Sequence, residues 1–238
     1  LCCTCLACND FLTEYSHDQA YVQSYSDLDE LIIGSGYMKC AGTYDYTYYS
    51  TAKETYYPYV HFMADETEVR NTGTYDYYGE SFLKMFYGFY TWQKDVDKDH
   101  EGTVGWTENQ DWINLYKHIN ITNIILSQID NQTIQTENDQ RNVNRIKGEA
   151  HFLRGAYYFV LANLYGKPYS SISAKTDLAV PIKLTENIED KVYTRATVEK
   201  TYEQVLEDLL TAEKHLKGQS RKSVTRAGHT ATCLLLSR

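Results

Sequence analysis

Apolar positions recur at three- and four-residue intervals over the second half of the chain, which predicts long amphipathic α-helices. The first stripe comprises Trp112, Leu115, Ile119, Thr122, Leu126 and Ile129. The second stripe comprises Val143, Ile146, Ala150, Leu153, Tyr157, Val160 and Leu164. Because only the polar run Asn131-Gln132-Thr133 interrupts them, the two helices are predicted to form an antiparallel hairpin.

The predicted ends of this hairpin carry residues that are typical of helix caps. Thr107 has the position of an N-cap, and Gln110 follows three residues later, where its side chain can bond back to the cap. Gly166 stands just past the second stripe as a C′ residue, and Pro168 prevents the helix from resuming. The hairpin is therefore predicted to lie between residues 107 and 166.

Two further helices are predicted after a connection over residues 168–196, in which Val180-Pro181-Ile182 indicates a short extended piece. The third helix has Thr197 as its N-cap and ends at Gly218. Its apolar face comprises Val198, Tyr202, Val205, Leu209, Ala212 and Leu216. A fourth helix is predicted to begin near Ser223. Its apolar positions are Ala227, Ala231, Leu234 and Leu235.

Near the start of the chain, Ser26 is the predicted N-cap of a short helix that ends near Gly34–Gly36. Residues 40–60 alternate tyrosine with small polar residues, which indicates either a short strand or an extended surface segment. Successive helical hairpins are typical of tetratricopeptide-like (TPR-like) superhelices, so the predicted fold class is mostly α. Because the last helical pattern is interrupted at Arg238, we expect the chain to be truncated at its C-terminus.

Composition and charge narrow the class of ligand. The formal net charge of −9 argues against a nucleic-acid binder, since phosphate neutralisation requires a basic face. The 23 tyrosines against 7 phenylalanines suit a protein that presents aromatic faces to a hydrated ligand. The alternative, preferred for any individual tyrosine, is that it covers a helical core with its hydroxyl in water.

The cysteines indicate an anchor. Four of the six, Cys2, Cys3, Cys5 and Cys8, fall within the first eight residues, and no second CxxC pair exists to complete a zinc site. Residues 1–7 are small and apolar, as expected of the end of an export signal. Leu6-Ala7-Cys8 then resembles a bacterial lipobox, which predicts acylation of Cys8. Residues 8–25 would form a lipidated tether, and no stretch reaches the roughly 18 apolar residues that span a bilayer.

The segment from Lys147 to Pro168, which we call the helical signature, resembles the pattern of a known family. The sequence from Lys147 to Pro168, KGEAHFLRGAYYFVLANLYGKP, resembles the SusD/RagB family pattern G-E-A-x-F-L-R-A-x-Y-Y-F-x-L followed by Y/F-G-x-x-P. Gly155 stands where alanine is commoner, and Pro168 comes one residue early. Other fragments that agree in order are residues 8–12, 64–66, 112–125 and 195–198.

The resemblance implies a lipid-anchored surface protein of the Bacteroidetes outer membrane, with residues 26–238 as an incomplete N-terminal helical domain. Members combine TPR-like hairpins with a loop-rich region that contacts ligand. They bind oligosaccharides or other nutrients and deliver them to a SusC-like TonB-dependent outer-membrane transporter. A complete member is roughly twice as long as this chain. The resemblance also implies that the chain is not an enzyme and requires no cofactor.

The loop over residues 92–109 combines aromatic, carboxylate and amide side chains, which is the combination that sugar recognition requires. In glycan-binding members a loop before the first long helix contributes to the ligand site. Trp92, Asp95, Trp106 and Asn109 are therefore the candidate ligand-binding residues. Alternatively, Trp106 only packs against the start of its helix.

The same loop does not predict a metal site. The acidic run over residues 95–99 begins like a calcium loop, but His100 replaces the required glycine and Trp106 the required glutamate. A solvated acidic loop is the preferred interpretation.

No motif of nucleophilic or nucleotide chemistry is present, and spacing singles out no pair of carboxylates for glycoside hydrolysis. Glu149 and Arg154 are five residues apart and do not face each other on a helix, so pairing with neighbouring elements is expected. His118 and His151 are predicted to be packing or surface residues. Two rival functions remain: a TPR-like adaptor for a protein partner and a surface glycoside hydrolase.

Overall fold

The computed structural model describes residues 22–38, residue 63, residues 88–94 and residues 110–238. Helix α1 spans Tyr25–Leu31 and continues into a π-helical turn at Ile32–Gly36. The later helices are α2 at Gln110–Ile129, α3 at Glu137–Tyr165, α4 at Val198–Leu216 and α5 at His229–Leu236. Within the described ranges, β-structure is limited to one antiparallel bridge between Leu178 and Thr197. The mostly α fold class is confirmed.

Helices α2 and α3 form the predicted antiparallel hairpin. Lys147 of α3 pairs with Asp130 just past the end of α2, and Arg154, two turns further along α3, reaches back to Asn123. The predicted stripes are its buried face. Buried members are Leu115, Ile119, Thr122, Ile129, Val143, Ile146, Ala150, Leu153 and Tyr157. The hairpin therefore follows from the three- and four-residue periodicity.

Helix α4 packs antiparallel on α3, and glycines allow the two helices to approach closely. A Cβ atom at Gly148 would lie 2.7 Å from Cγ of Leu216, and one at Gly155 would lie 3.2 Å from Cβ of Asp208. Gly155 stands where the family pattern usually has alanine, and this contact explains the smaller residue. The apolar face of α4 is buried as predicted, with Val198, Val205, Leu209, Ala212 and Leu216 inside.

One predicted helix end is wrong, and another is correct in position but differs in backbone conformation. The N-cap of α1 is Ser24 rather than Ser26, because Ser24 and Asp27 form a reciprocal capping box. Gly166 does end α3, but its backbone is extended (φ −84°, ψ 165°) and not in the left-handed conformation of a C′ glycine. A side chain is excluded there because a Cβ atom would lie 2.5 Å from the carbonyl oxygen of Ala162.

The last helix begins at His229, not near Ser223 as predicted. Tertiary bonds hold the preceding residues in a non-helical path: the Ala227 N–H donates to the Tyr37 hydroxyl (2.7 Å), and the Arg226 side chain turns inward to Asp29. Leu234, predicted to be on the apolar face, is 66% exposed. Local propensity is overridden here by buried polar contacts.

The connection between α3 and α4 is extended around Val180, as predicted. The Ala179 N–H donates to the Ala196 carbonyl (2.8 Å), and the Ala196 N–H donates to the Val180 carbonyl (3.0 Å). Asn123 of α2 donates from Nδ2 to the Lys183 carbonyl, at 3.0 Å. These bonds fasten the connection to the hairpin, and Thr197 caps α4 as predicted.

Candidate functional site

Trp92 lies in a short turn that presents its side chain to solvent. The Trp92 N–H donates to the Phe89 carbonyl (3.2 Å), and the Gln93 N–H donates to the Gly88 carbonyl (2.8 Å). Phe89 is buried, whereas the Trp92 residue is 68% exposed. The buried Phe89 ring therefore holds the turn in place, and the Trp92 ring is exposed to solvent.

The backbone of this turn is strained at the exposed tryptophan. Trp92 has φ = 55°, in the left-handed region that bulky residues rarely adopt. Such a conformation costs a residue with a Cβ atom roughly 1–2 kcal/mol. The two backbone bonds are those of a Schellman motif, in which a left-handed residue follows the end of a helix, here the helical residues 88–90. The motif accounts for the backbone conformation of Trp92, and the role of its exposed indole in ligand binding stays a prediction.

The other predicted site residues lie outside the described part of the chain. These are Asp95, Trp106 and Asn109 of the predicted ligand loop, and Cys8 of the predicted anchor. The acidic run 95–99 and Thr107 also lie outside the described residues. Gln110 is described only as the first residue of α2, so its predicted capping bond is not tested. Their roles stay predictions.

Glu149 of the helical signature forms a buried charge cluster at the centre of the fold. Its carboxylate accepts hydrogen bonds from Arg145 (2.9 Å), Arg226 (2.8 Å) and the Tyr37 hydroxyl (2.8 Å). Arg145 and Arg226 both also bind Asp29 of α1. We call these five residues the Glu149 cluster. It connects α1, α3 and the segment before α5.

Hydrogen bonds from arginine favour the ionised form of Asp29 in this cluster. Burial opposes ionisation of Asp29, but hydrogen bonds from Arg145 and Arg226 outweigh it and hold the pKa of that carboxyl below its usual range. Burial, together with the Glu149 charge, raises the pKa of the Tyr37 hydroxyl, which therefore stays a donor.

Arg154, the other charged signature residue, joins a second buried cluster between α3 and α4. Its Nη2 and Nε atoms bind the Asp208 carboxylate at 2.7 and 3.0 Å, and Nη1 donates to Oδ1 of Asn123 at 3.0 Å. His151 Nδ1 lies 2.7 Å from Asp208 Oδ1, and Gln204 donates to Oδ2 at 3.1 Å. We call these five residues the Arg154 cluster.

The two clusters confirm the expectation that Glu149 and Arg154 pair with neighbouring elements. The two histidines also have packing contacts: His151 within the Arg154 cluster, and His118 as a donor to the Ser35 carbonyl at 2.8 Å. Burial lowers the pKa of His118, which favours its neutral form. The polar residues of the signature therefore maintain the fold.

Tyrosine hydroxyls have a role that sequence reasoning missed. The preferred interpretation for an individual tyrosine was a hydroxyl in water, but several hydroxyls instead donate to backbone carbonyls. These bonds run from Tyr116 to Pro181, from Tyr158 to Lys183 and from Tyr157 to Gly36. Each fastens a loop or turn to a helix. Only tertiary contacts distinguish such tyrosines, because sequence spacing does not indicate the partner of a hydroxyl group.

Comparison with known proteins identifies the family. The structure is a helical assembly with a displayed aromatic turn, and residues 57–238 match the family model of SusD-like proteins described as "Starch-binding associating with outer membrane". The chain therefore belongs to the SusD-like family, which confirms the resemblance of its helical signature. No curated protein matches the sequence.

Solved structures show the same fold. A SusD superfamily protein from Bacteroides thetaiotaomicron VPI-5482 superposes with a TM-score of 0.62 at 23% identity, over 90% of this chain and 42% of that one. A SusD-like carbohydrate binding protein from Bacteroides vulgatus ATCC 8482 gives 0.62 at 21% identity, covering 90% and 40%. Surface glycan-binding protein A from Bacteroides uniformis gives 0.56 at 16% identity, covering 88% and 40%. The chain spans less than half the length of these structures.

None of the helices in the described ranges is both long and apolar enough to cross a membrane.

Asp208→Asn is expected to destabilise the fold strongly, because it leaves the buried Arg154 guanidinium without its counter-charge. Burial opposes ionisation of Asp208, but bonds from His151 and Arg154 outweigh it and lower the pKa of the carboxyl. At about pH 7, urea unfolding should show a loss of about 3–5 kcal/mol. The exposed neighbour Glu207→Gln serves as the control and should change the free energy of unfolding by less than about 0.5 kcal/mol.

The loss of unfolding free energy caused by Asp208→Asn should also depend on pH. A carboxyl whose folded-state pKa is lowered stabilises the fold above its unfolded pKa of about 3.9, and this contribution disappears as pH falls through the folded-state value. The difference between the parent and Asp208→Asn should therefore shrink below about pH 4. Equal stability of the two proteins at neutral pH would contradict the assignment.

Proposed function

We propose that this chain binds oligosaccharides at the cell surface and that Trp92 is a contact residue for the sugar. The observation that carries the proposal is the exposed indole of Trp92. A pyranose ring has an apolar face that a flat aromatic side chain can cover, and such contacts bury large area at little conformational cost. Asp95, Trp106 and Asn109 would supply further contacts from the same loop.

The family and its structural relatives support a carbohydrate ligand. The family description is of starch binding, and two structural relatives are a surface glycan-binding protein and a "Laminarin binding SusD-like protein". This chain spans less than half the length of those relatives. We therefore propose only a class of ligand, oligosaccharides, and not a particular glycan.

We further propose that Cys8 carries a lipid that anchors the protein to the outer membrane of a Bacteroidetes cell. Residues 8–25 would be the tether, and residues 26–238 the N-terminal helical domain of a SusD-like protein. There it would deliver its ligand to a SusC-like TonB-dependent transporter. The family description of association with the outer membrane supports this location.

A binding protein without catalytic activity is preferred over the alternative of a surface glycoside hydrolase. The acidic residues of the Glu149 and Arg154 clusters, Asp29, Glu149 and Asp208, are each paired with arginine. A general acid requires a raised carboxyl pKa, and the pKa values of Asp29 and Asp208 are instead lowered, because the arginine and histidine hydrogen bonds outweigh burial.

Trp92→Gly is expected to weaken sugar binding at least about tenfold without lowering stability. Glycine removes the indole but adopts φ = 55° without strain, which offsets its entropic cost of about 0.5–1 kcal/mol. Isothermal titration against starch- and laminarin-derived oligosaccharides measures the affinity, and urea unfolding measures the stability. The control is Tyr169→Ala, which removes an exposed aromatic ring from another loop and should leave the affinity unchanged.

Each alternative function gives a different result in this experiment. Unchanged affinity of Trp92→Gly would refute the contact assignment. No binding by the parent, with retained capture of a transporter barrel, would favour the adaptor. Release of shorter sugars during incubation would indicate a hydrolase.

Cys8→Ala is expected to release the protein from membranes when it is produced in a Bacteroidetes host behind a complete export signal. Without the thiol no lipid can be attached, and the described helices offer no membrane span. Fractionation and immunoblotting measure the distribution. Cys5→Ala is the control and should remain membrane-bound. Continued membrane association of Cys8→Ala would overturn the anchor assignment.

A further inference from the structure

Helices α4 and α5 bring together three side chains of the types that bind transition metals. Glu213 lies in the last turns of α4, and His229 and Cys233 lie four residues apart on α5, where they share one face. The potential ligand atoms of these three residues all lie within 4.8 Å of one another. This cluster is separate from the Trp92 turn and shares no residue with the Glu149 or Arg154 cluster.

The distances suit a single small ion. His229 Nε2 lies 2.7 Å from Glu213 Oε1, and Cys233 Sγ lies beside the imidazole ring, 3.7 Å from Nε2 and 3.9 Å from Nδ1. A tetrahedral zinc ion with ordinary bond lengths would separate its ligand atoms by about 3.3–3.6 Å. Binding of the ion at Nε2 would require the carboxylate–imidazole contact to widen by about 0.6 Å and the His229 and Cys233 side chains to rotate so that Sγ approaches the ion.

The ligand set also selects the type of metal. A thiolate and an imidazole favour zinc-like ions over calcium or magnesium, which prefer oxygen ligands only. The three side chains leave one tetrahedral position for water, as in zinc sites that are not fully closed. Access is open, since the side chains of Glu213 and His229 are 29% and 37% exposed and Cys233 is exposed.

We propose that Glu213, His229 and Cys233 form a Zn²⁺ site that joins the end of α4 to α5. On binding, the Cys233 thiol would release its proton to solvent, and the neutral imidazole would bind through Nε2 in place of its hydrogen bond to Glu213. The ion would stabilise the packing of α5, because its ligands come from both helices. The proposal is independent of sugar binding.

Cobalt substitution tests the site directly. The full chain is prepared with its other cysteines, Cys2, Cys3, Cys5, Cys8 and Cys40, replaced by serine, so that any thiolate signal comes from Cys233. Titration with Co²⁺ should produce a sulfur-to-cobalt charge-transfer band and the visible absorption of tetrahedral cobalt. Added Zn²⁺ should remove both, because zinc binds such sites more tightly.

Single substitutions then assign the ligands. Cys233→Ser should abolish the charge-transfer band, and His229→Gln and Glu213→Gln should each weaken Co²⁺ binding at least about tenfold. Glu207→Gln, on the same helix but outside the cluster, is the matched control. Far-ultraviolet circular dichroism without metal verifies folding, and the parent's melting temperature should rise with Zn²⁺ while that of Cys233→Ser should not.

Two results would overturn the proposal. One is the absence of a thiolate band in the parent at millimolar Co²⁺. The other is a band, or a zinc-dependent rise in melting temperature, that persists in folded His229→Gln and Glu213→Gln, which would show an adventitious ion at an exposed thiol. Because the three variants are independent, failure of one to fold leaves the remaining two to decide.

Discussion

The need to pair the buried charges of α3 organises the described part of this protein. Removing an ion from water costs several kcal/mol even after the protein relaxes, so Glu149 and Arg154 can lie inside only with their counter-charges. Glu149 pairs with Arg145 on α3 itself and with Arg226 from the segment before α5. Arg154 pairs with Asp208 of α4, and Arg145 also pairs with Asp29 of α1. Each pairing between α3 and another element fixes the position of that element, which hydrophobic contact alone would leave free to slide.

This arrangement separates the residues that maintain the fold from those proposed to bind ligand. The helical signature supplies both charge clusters and several tyrosine hydroxyl bonds, whereas the displayed Trp92 lies on a turn outside the signature. Relatives with only 16–23% identity keep the same fold.

Periodicity predicts what apolar burial alone determines. The stripes of α2, α3 and α4 follow from hydrophobic spacing, and Thr197 was recognisable as a cap by its residue type. The start of α5 was not, because Arg226 and Ala227 are held by Asp29 and Tyr37, which are almost two hundred residues away in the chain. Sequence spacing carries no signal of such contacts.

Sequence spacing also fails to indicate the contacts that form the candidate sites. An exposed tryptophan in a loop was predictable, but its left-handed backbone depends on the local turn. His229 and Cys233 have ligand spacing on one helix, yet Glu213 lies sixteen residues earlier and meets them only through helix packing. The sequence analysis did not identify these three residues as ligands, because their proximity depends on the packing of two helices.

Native-state hydrogen exchange of Glu149→Gln tests the central claim, that α3 charges position the other elements. Loss of the Glu149 charge should remove protection together from α1 and from the amide of Ala227, whose acceptor Tyr37 also binds Glu149. Helix α4, held by the Arg154 cluster, should keep its protection. Uniform loss of protection in all helices, or loss confined to α3, would contradict the account.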